Sequence, residues 1–156
     1  MFSTKLLAVG ALVGMTLVPC ASTSPPSIPQ TWVDGVVPYT FAPGVSPEQQ
    51  FLMLEAMQTW EGVADISFVE RTDEVDWIEI RDDGSVQSWV GRKGGKQDVG
   101  VASWMQHGDM LHELGHVLGF FAEERRMDRD AYITVVWGAV APIFTPYLTK
   151  VDSECQ

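Results

Sequence analysis

Cysteine is scarce in this sequence, whose 156 residues contain only Cys20 and Cys155. One lies in an apolar leader and the other beside the C-terminus, so the region between them cannot contain an internal disulfide. Basic residues are also few, with 10 Lys and Arg against 21 Asp and Glu and a formal net charge of −11. A chain of this charge repels phosphates, which excludes nucleic acid as a partner, and we interpret the acidity as a source of solubility outside the cell.

Long hydrophobic runs are absent except near the N-terminus. The run from Leu6 to Val18 follows Lys5 and precedes Pro19, Cys20 and a stretch of small residues. This order is typical of a secretory signal peptide, and the run is shorter than the roughly 20 residues that a membrane-spanning helix needs. We therefore predict a signal peptide at residues 1–20 and export of the chain.

Cys20 leaves two modes of export open. It follows Leu17-Val18-Pro19, which resembles the lipobox of bacterial lipoproteins in part, although a small residue is expected where Pro19 stands. Secretion and lipid anchoring at the cell envelope through Cys20 remain alternatives. A lipid on Cys20 is the one membrane contact that the sequence suggests.

The chain is long enough for one domain. Residues 21–31 are rich in Ser, Thr and Pro and are predicted to form a linker. We predict a folded domain over residues 32–137 and a short C-terminal tail over 138–156. A helix is expected from Pro47 to about Trp60, with Ser46 as its N-cap. Strands are predicted at 36–41, 66–70, 77–81, 87–91 and 98–103, with the first at an edge or bulge because it contains Pro38.

The segment that bears chemistry reads H-E-L-G-H from His112 to His116. Successive helical residues turn by about 100°, so the two histidines lie one turn apart on the same face. Two imidazoles in this relation can bind one zinc ion through ring nitrogens. Glu113 is placed to take a proton from a zinc-bound water and to pass it to the leaving amine. The pattern predicts a zinc hydrolase with His112 and His116 as ligands and Glu113 as general base.

A simpler interpretation is a helix whose two histidines lie on a polar face, because the motif fixes only three positions. The helix is otherwise apolar and would be buried by Leu111, Leu114, Val117 and Leu118. Burying two histidines and a glutamate without a partner costs free energy, which favours the zinc site.

The sequence around the motif resembles a known family. Metzincin proteases continue the motif as H-E-x-x-H-x-x-G-x-x-H, and Gly119 occupies the glycine position. Residues 112–132 resemble the signature of the astacin metalloendopeptidases: H-E-L-G-H-V-L-G-F-F-A-E-E-R-R-M-D-R-D-A-Y. Similar segments are V-V-P-Y-T-F at 36–41, R-T-D-E-V-D-W-I-E-I at 71–80, S-W-V-G-R at 88–92 and H-G at 107–108.

This resemblance implies an α+β fold, the upper subdomain of a metzincin. It would contain a twisted, mostly parallel five-stranded sheet and two helices, the second of which carries the ligands. The strand at Val99–Ser103 would be an antiparallel edge that pairs with an extended peptide substrate. The implied activity is zinc-dependent hydrolysis of peptide bonds.

The sequence departs from the family pattern at the third ligand, where Ala122 has no donor atom. Catalytic zinc sites usually have three protein ligands and a water. His107 lies about 140° from the ligand face and cannot easily substitute, whereas Glu123 or Glu124 could supply a carboxylate. The sequence ends at Gln156 without a Met-turn methionine after Met127, so we expect the lower subdomain to be largely missing. Alternatives to an active zinc endopeptidase are an inactive, peptide-binding half domain and a decayed product without a stable fold.

Overall fold

The computed structural model describes residues 28–151. The predicted signal peptide, Cys20, Cys155 and most of the predicted linker lie outside these residues. Within the described part of the chain, no helix is both long and apolar enough to cross a membrane.

A parallel sheet forms one layer of the fold. Its strands are β1 (Val36–Phe41), β2 (Ser67–Glu70), β3 (Trp77–Arg81) and β4 (Lys96–Gly100), in the spatial order β2-β1-β3-β4. All three neighbouring pairs run parallel. Both faces of a parallel sheet are usually covered, which explains fully buried apolar residues in the strands, among them Val37, Ile78, Ile80 and Val99.

Helix α1 (Pro47–Glu61) connects β1 to β2. The predicted N-terminus is confirmed, because the Ser46 hydroxyl accepts a hydrogen bond from the Gln49 amide and the Gln49 side chain accepts one from the Ser46 amide. This reciprocal capping box satisfies two amides that a helix start otherwise leaves unpaired. Met53, Ala56 and Met57 form its buried stripe.

Helix α2 (His107–Leu118) carries the histidine motif and packs against α1. At its start the Asp109 carboxylate accepts a hydrogen bond from the Gln106 amide at 2.7 Å. Met110, Leu114 and Val117 are fully buried. The chain then continues through short 3-10 turns at Glu123–Arg125, Arg129–Ala131, Trp137–Ala139 and Pro142–Leu148.

The α+β class and the two helices are confirmed, but the predicted antiparallel edge is wrong. The residues assigned to this edge strand begin within β4, which runs parallel to β3. The sheet of the described residues has four strands, whereas five were expected. The predicted strand at 87–91 is also wrong. That segment runs beside β4 with one backbone hydrogen bond, from the Gly100 amide to the Gln87 carbonyl oxygen at 2.9 Å. A Cβ on Gly100 would lie 2.3 Å from the Ser85 carbonyl oxygen, so glycine permits this approach.

The expectation that Pro38 marks an edge or bulge is wrong too, since β1 lies between β2 and β3. The Tyr39 carbonyl accepts a hydrogen bond from the Arg71 amide on the β2 side of the strand. Because successive residues of a strand direct their backbone groups to opposite sides, the nitrogen of Pro38 faces β3. Pairing with β3 starts only at Tyr39, and no ladder hydrogen bond is lost at Pro38.

Candidate metal centre

His112 and His116 lie side by side on α2. Their ring centroids are 4.5 Å apart and their planes cross at 82°. This arrangement follows from the four-residue spacing, which places both side chains one above the other on a helix face. Nitrogen atoms from both rings can therefore reach one position in the cleft beside the helix.

The hydrogen bond of His116 determines which of its nitrogens is available. Its Nδ1 lies 2.8 Å from the carbonyl oxygen of Phe120. Because a carbonyl oxygen only accepts, Nδ1 must carry the proton, and Nε2 is then the nitrogen with a free lone pair. A backbone carbonyl on the second ring nitrogen is the usual partner of a metal-binding histidine.

Gly119 brings the Phe120 carbonyl to His116. It ends α2 in the left-handed region, with φ of 107°, which disfavours residues that carry a Cβ. The Gly119 amide donates to the His116 carbonyl oxygen at 2.8 Å and the Phe120 amide donates to that of Gly115 at 3.0 Å. These two bonds form a Schellman motif, which reverses the chain directly after α2.

Glu113 is the most constrained of the three motif residues. It is 6% exposed, and its Oε2 accepts a hydrogen bond from the Ser88 hydroxyl at 2.7 Å. The same hydroxyl lies 3.0 Å from the Glu113 carbonyl oxygen. A buried carboxylate requires such a partner, and this one comes from the segment beside β4.

Three hydrogen bonds from other parts of the chain position α2. The indoles of Trp32 and Trp60 donate to the carbonyl oxygens of Val117 and Leu111, at 2.9 and 3.1 Å. The Gly91 amide donates to the His116 carbonyl oxygen at 2.8 Å. Helix α2 is thus held to the N-terminal segment, to α1 and to the loop after Ser88.

Ala122 lies where the sequence predicts the third ligand. It lines a cleft together with His112, Glu113 and His116. Its methyl group offers no donor, and nowhere within residues 28–151 do three or more His, Cys, Asp or Glu side chains come together to hold a metal ion. The two imidazoles fit a zinc ion as two of its ligands, and no third donor is assembled beside them in the described part of the chain.

Two carboxylates lie near the histidine pair. Glu124 lines both clefts that include His112 and His116. Glu123 lines one of them, and its Oε2 pairs with the Arg126 guanidinium at 2.9 Å. His107 lies with Thr59 at a separate depression on α1, with its Nε2 3.3 Å from the Thr59 hydroxyl, in agreement with its predicted angle from the ligand face.

Two residues of this region were not identified from the sequence as contributors. Ser88 belongs to the quoted S-W-V-G-R segment, but no local pattern indicates that it contacts Glu113. Arg129 belongs to the quoted D-R-D segment and is 5% exposed. Its guanidinium donates to the carbonyl oxygens of Glu124 and Leu148, which ties the chain after the ligand helix together.

Comparison with known proteins gives a family match over most of the chain. The model of the peptidase family described as Astacin matches residues 26–155. Bone morphogenetic protein 1 of Xenopus laevis is 38% identical over 126 residues, which are 78% of this chain and 17% of that protein. High choriolytic enzyme 1 of Oryzias latipes is 34% identical over 121 residues, which are 76% of this chain and 45% of that protein.

A solved structure agrees with this match. That structure is high choriolytic enzyme 1, a hatching-enzyme zinc protease from the medaka Oryzias latipes, and it aligns with a TM-score of 0.61 at 32% identity. The alignment covers 80% of this chain and 64% of that one. The chain spans less than half the length of both curated relatives described above.

Proposed function

The chain belongs to the astacin family of peptidases, and on that premise we propose that it is a zinc-dependent metalloendopeptidase. Its substrates would be peptides or proteins. The observation that carries the proposal is the pairing of His112 with His116 at 4.5 Å between ring centroids, with the carboxylate of Glu113 lining the same cleft.

His112 and His116 are proposed as zinc ligands. When bound, zinc supplies a Lewis acid that polarises the scissile carbonyl and makes water more acidic. The chain contributes the position of the two imidazoles, with His116 presenting Nε2 because Nδ1 is engaged by the Phe120 carbonyl. Glu113 contributes a carboxylate that accepts a proton from water and returns it to the leaving amine.

Glu124 is proposed as a substitute for the histidine that Ala122 replaces. A glutamate can coordinate zinc through oxygen, and catalytic sites with two histidines and one glutamate are known among metallopeptidases. The position of Glu124 beside both clefts and the engagement of Glu123 by Arg126 support this assignment.

The donor set of two histidines supports a second candidate, a peptide-binding protein that does not cut. In that case the cleft beside α2 would bind a peptide but would not hold the zinc ion that hydrolysis needs. The two candidates differ in zinc content and in turnover, which can be measured separately.

The remaining features of the sequence are proposed on sequence grounds alone. We propose export directed by residues 1–20, with secretion or lipid anchoring at Cys20, a linker at 21–31, a catalytic region at 32–137 and a tail at 138–156. Mass spectrometry of the mature protein would reveal whether cleavage precedes Cys20 and whether that residue carries lipid.

The first experiment measures zinc per chain after dialysis against a weak chelator, in the native protein and in His112→Ala. We expect about one zinc per chain in the native protein, since a paired site binds one ion, and loss of zinc in the variant. A folded native protein without zinc would contradict the metalloendopeptidase proposal and favour the peptide-binding candidate.

The second experiment measures cleavage of an unstructured protein by the native chain and by Glu113→Ala. Removing the carboxylate should abolish hydrolysis while zinc remains bound, because Glu113 moves the proton and does not hold the metal. Hydrolysis that persists in Glu113→Ala would show that another group, or a contaminant, performs the cleavage.

A further inference from the structure

Ser88 makes an unusual pair of contacts with a single residue. Its Oγ lies 2.7 Å from Oε2 of Glu113 and 3.0 Å from the carbonyl oxygen of the same residue. The hydroxyl therefore spans the main chain and the side-chain end of Glu113. Because the main chain is fixed by α2, this contact restricts the rotation of the side chain.

The segment that carries Ser88 is itself held on both sides. The Gln87 carbonyl accepts a hydrogen bond from the Gly100 amide at 2.9 Å, which fixes it to β4. On the other side, the Gly91 amide donates to the His116 carbonyl oxygen at 2.8 Å and the Gly91 carbonyl accepts from the Gln97 side chain at 3.1 Å. Ser88 thus lies on a short stretch fixed between the sheet and the ligand helix.

The chemistry of a hydroxyl suits the task of orienting this carboxylate. Serine offers one proton and two acceptor lone pairs and carries no charge. It can donate its proton to Oε2 of Glu113 or to the carbonyl oxygen of the same residue, and both acceptors lie within hydrogen-bond distance.

From these contacts we propose that Ser88 is the positioning residue for Glu113, an inference that rests on the proposed role of Glu113 as the general base. The Ser88 hydroxyl engages Oε2 and so holds the Glu113 side chain in one rotamer. Ser88 touches neither substrate nor metal in this role and acts only through Glu113.

The test compares Ser88→Ala with Ser88→Thr, which retains the hydroxyl, in the full chain. Ser85→Ala is the matched control, because Ser85 lies three residues before Ser88 and its hydroxyl donates to Asp83 at 2.6 Å. Loss of a supporting hydrogen bond at a catalytic centre typically reduces activity by about 10- to 100-fold. We expect a loss of this size in kcat for Ser88→Ala, with KM and zinc content unchanged, substantial recovery in Ser88→Thr and no loss in Ser85→Ala.

A second measurement is independent of turnover. It is the ¹³C NMR signal of the Glu113 carboxyl carbon in protein labelled with ¹³C-glutamate, assigned by its absence in Glu113→Gln. The chemical shift of this signal should change in Ser88→Ala and stay the same in Ser85→Ala. A native chain without peptidase activity would contradict the proposed function, while the carbon signal would still decide the positioning. An unchanged signal in folded Ser88→Ala, or a kcat equal to that of the native chain, would overturn the role of Ser88.

Discussion

The indole of Trp32 donates a hydrogen bond to the carbonyl oxygen of Val117, with 2.9 Å between the two atoms. Val117 lies in the last turn of α2, where carbonyl groups have no partner within the helix. The neighbouring carbonyls of Gly115 and His116 receive the amides of Phe120 and Gly119. Trp32 therefore supplies a partner for a third carbonyl at the end of the helix that presents the histidine pair.

Replacing Trp32 with Phe should destabilise the fold, because it retains an aromatic ring and removes the donor to a buried carbonyl. An unsatisfied buried acceptor costs about 1–3 kcal/mol in free energy of unfolding. Urea unfolding would measure this loss, with Trp104→Phe as control, since Trp104 is 65% exposed. Equal midpoints for the two variants would contradict the structural role of the Trp32 hydrogen bond.

Replacing Ala122 with His should raise the affinity for zinc, because Ala122 lines the same cleft as the paired histidines and the new imidazole adds a donor. We expect an increase of at least about tenfold, or about 1.4 kcal/mol, in competition titrations with a chromophoric chelator. Ala139→His adds an imidazole at an exposed position outside the cleft and serves as control. If both variants bind zinc with the same affinity, position 122 does not face the metal.

Replacing Glu124 with Gln should weaken zinc binding, whereas Glu123→Gln should leave the affinity near that of the native chain. The difference follows from their contacts, because Glu124 lines both clefts beside the histidines, whereas Glu123 lines one of them and pairs with Arg126. Loss of one carboxylate ligand should reduce affinity by about tenfold, measured in the same titration. A larger loss in Glu123→Gln than in Glu124→Gln would reverse the assignment.

Asp76 should contribute stability that disappears in acid. Its Oδ1 accepts a hydrogen bond from the Gly95 amide at 2.6 Å and its Oδ2 pairs with the Arg92 guanidinium. These contacts, with the Gly95 bond first, hold the pKa of the Asp76 carboxyl below its ordinary value of 3.8. A carboxyl whose pKa is depressed by folding stabilises the protein fully above that ordinary value, and the contribution is lost as the pH falls through the folded pKa.

The corresponding measurement is urea unfolding of the native chain and Asp76→Asn at neutral pH and at several values below about pH 4. We expect the native chain to be more stable at neutral pH and the difference to shrink as the pH falls. The exposed Asp65 provides the control variant Asp65→Asn. A difference that stays constant with pH would show that the Asp76 contacts do not depend on ionisation.

Elements defined by short-range patterns were predicted well from the sequence. Strand β1 has the predicted bounds, and α1 starts where Ser46, Pro47 and Gln49 indicate, because a capping box depends on neighbouring residues alone. The sheet was predicted less well. The orientation of β4 and the irregular path of residues 87–91 depend on which strand each segment meets, and alternation of residue types within a segment does not encode that partner.

Two features of the site follow from the order of the residues alone: His112 and His116 share a helix face, and position 122 carries no donor. Both are local properties, set by helical periodicity and by residue chemistry. The folded chain adds that Nε2 of His116 is the free nitrogen and that Ser88 holds Glu113. It also adds the hydrogen bond that Trp32 donates to α2 from 85 positions away in the chain. Contacts across such distances arise only when packing brings separate segments together, and no spacing along the sequence specifies them.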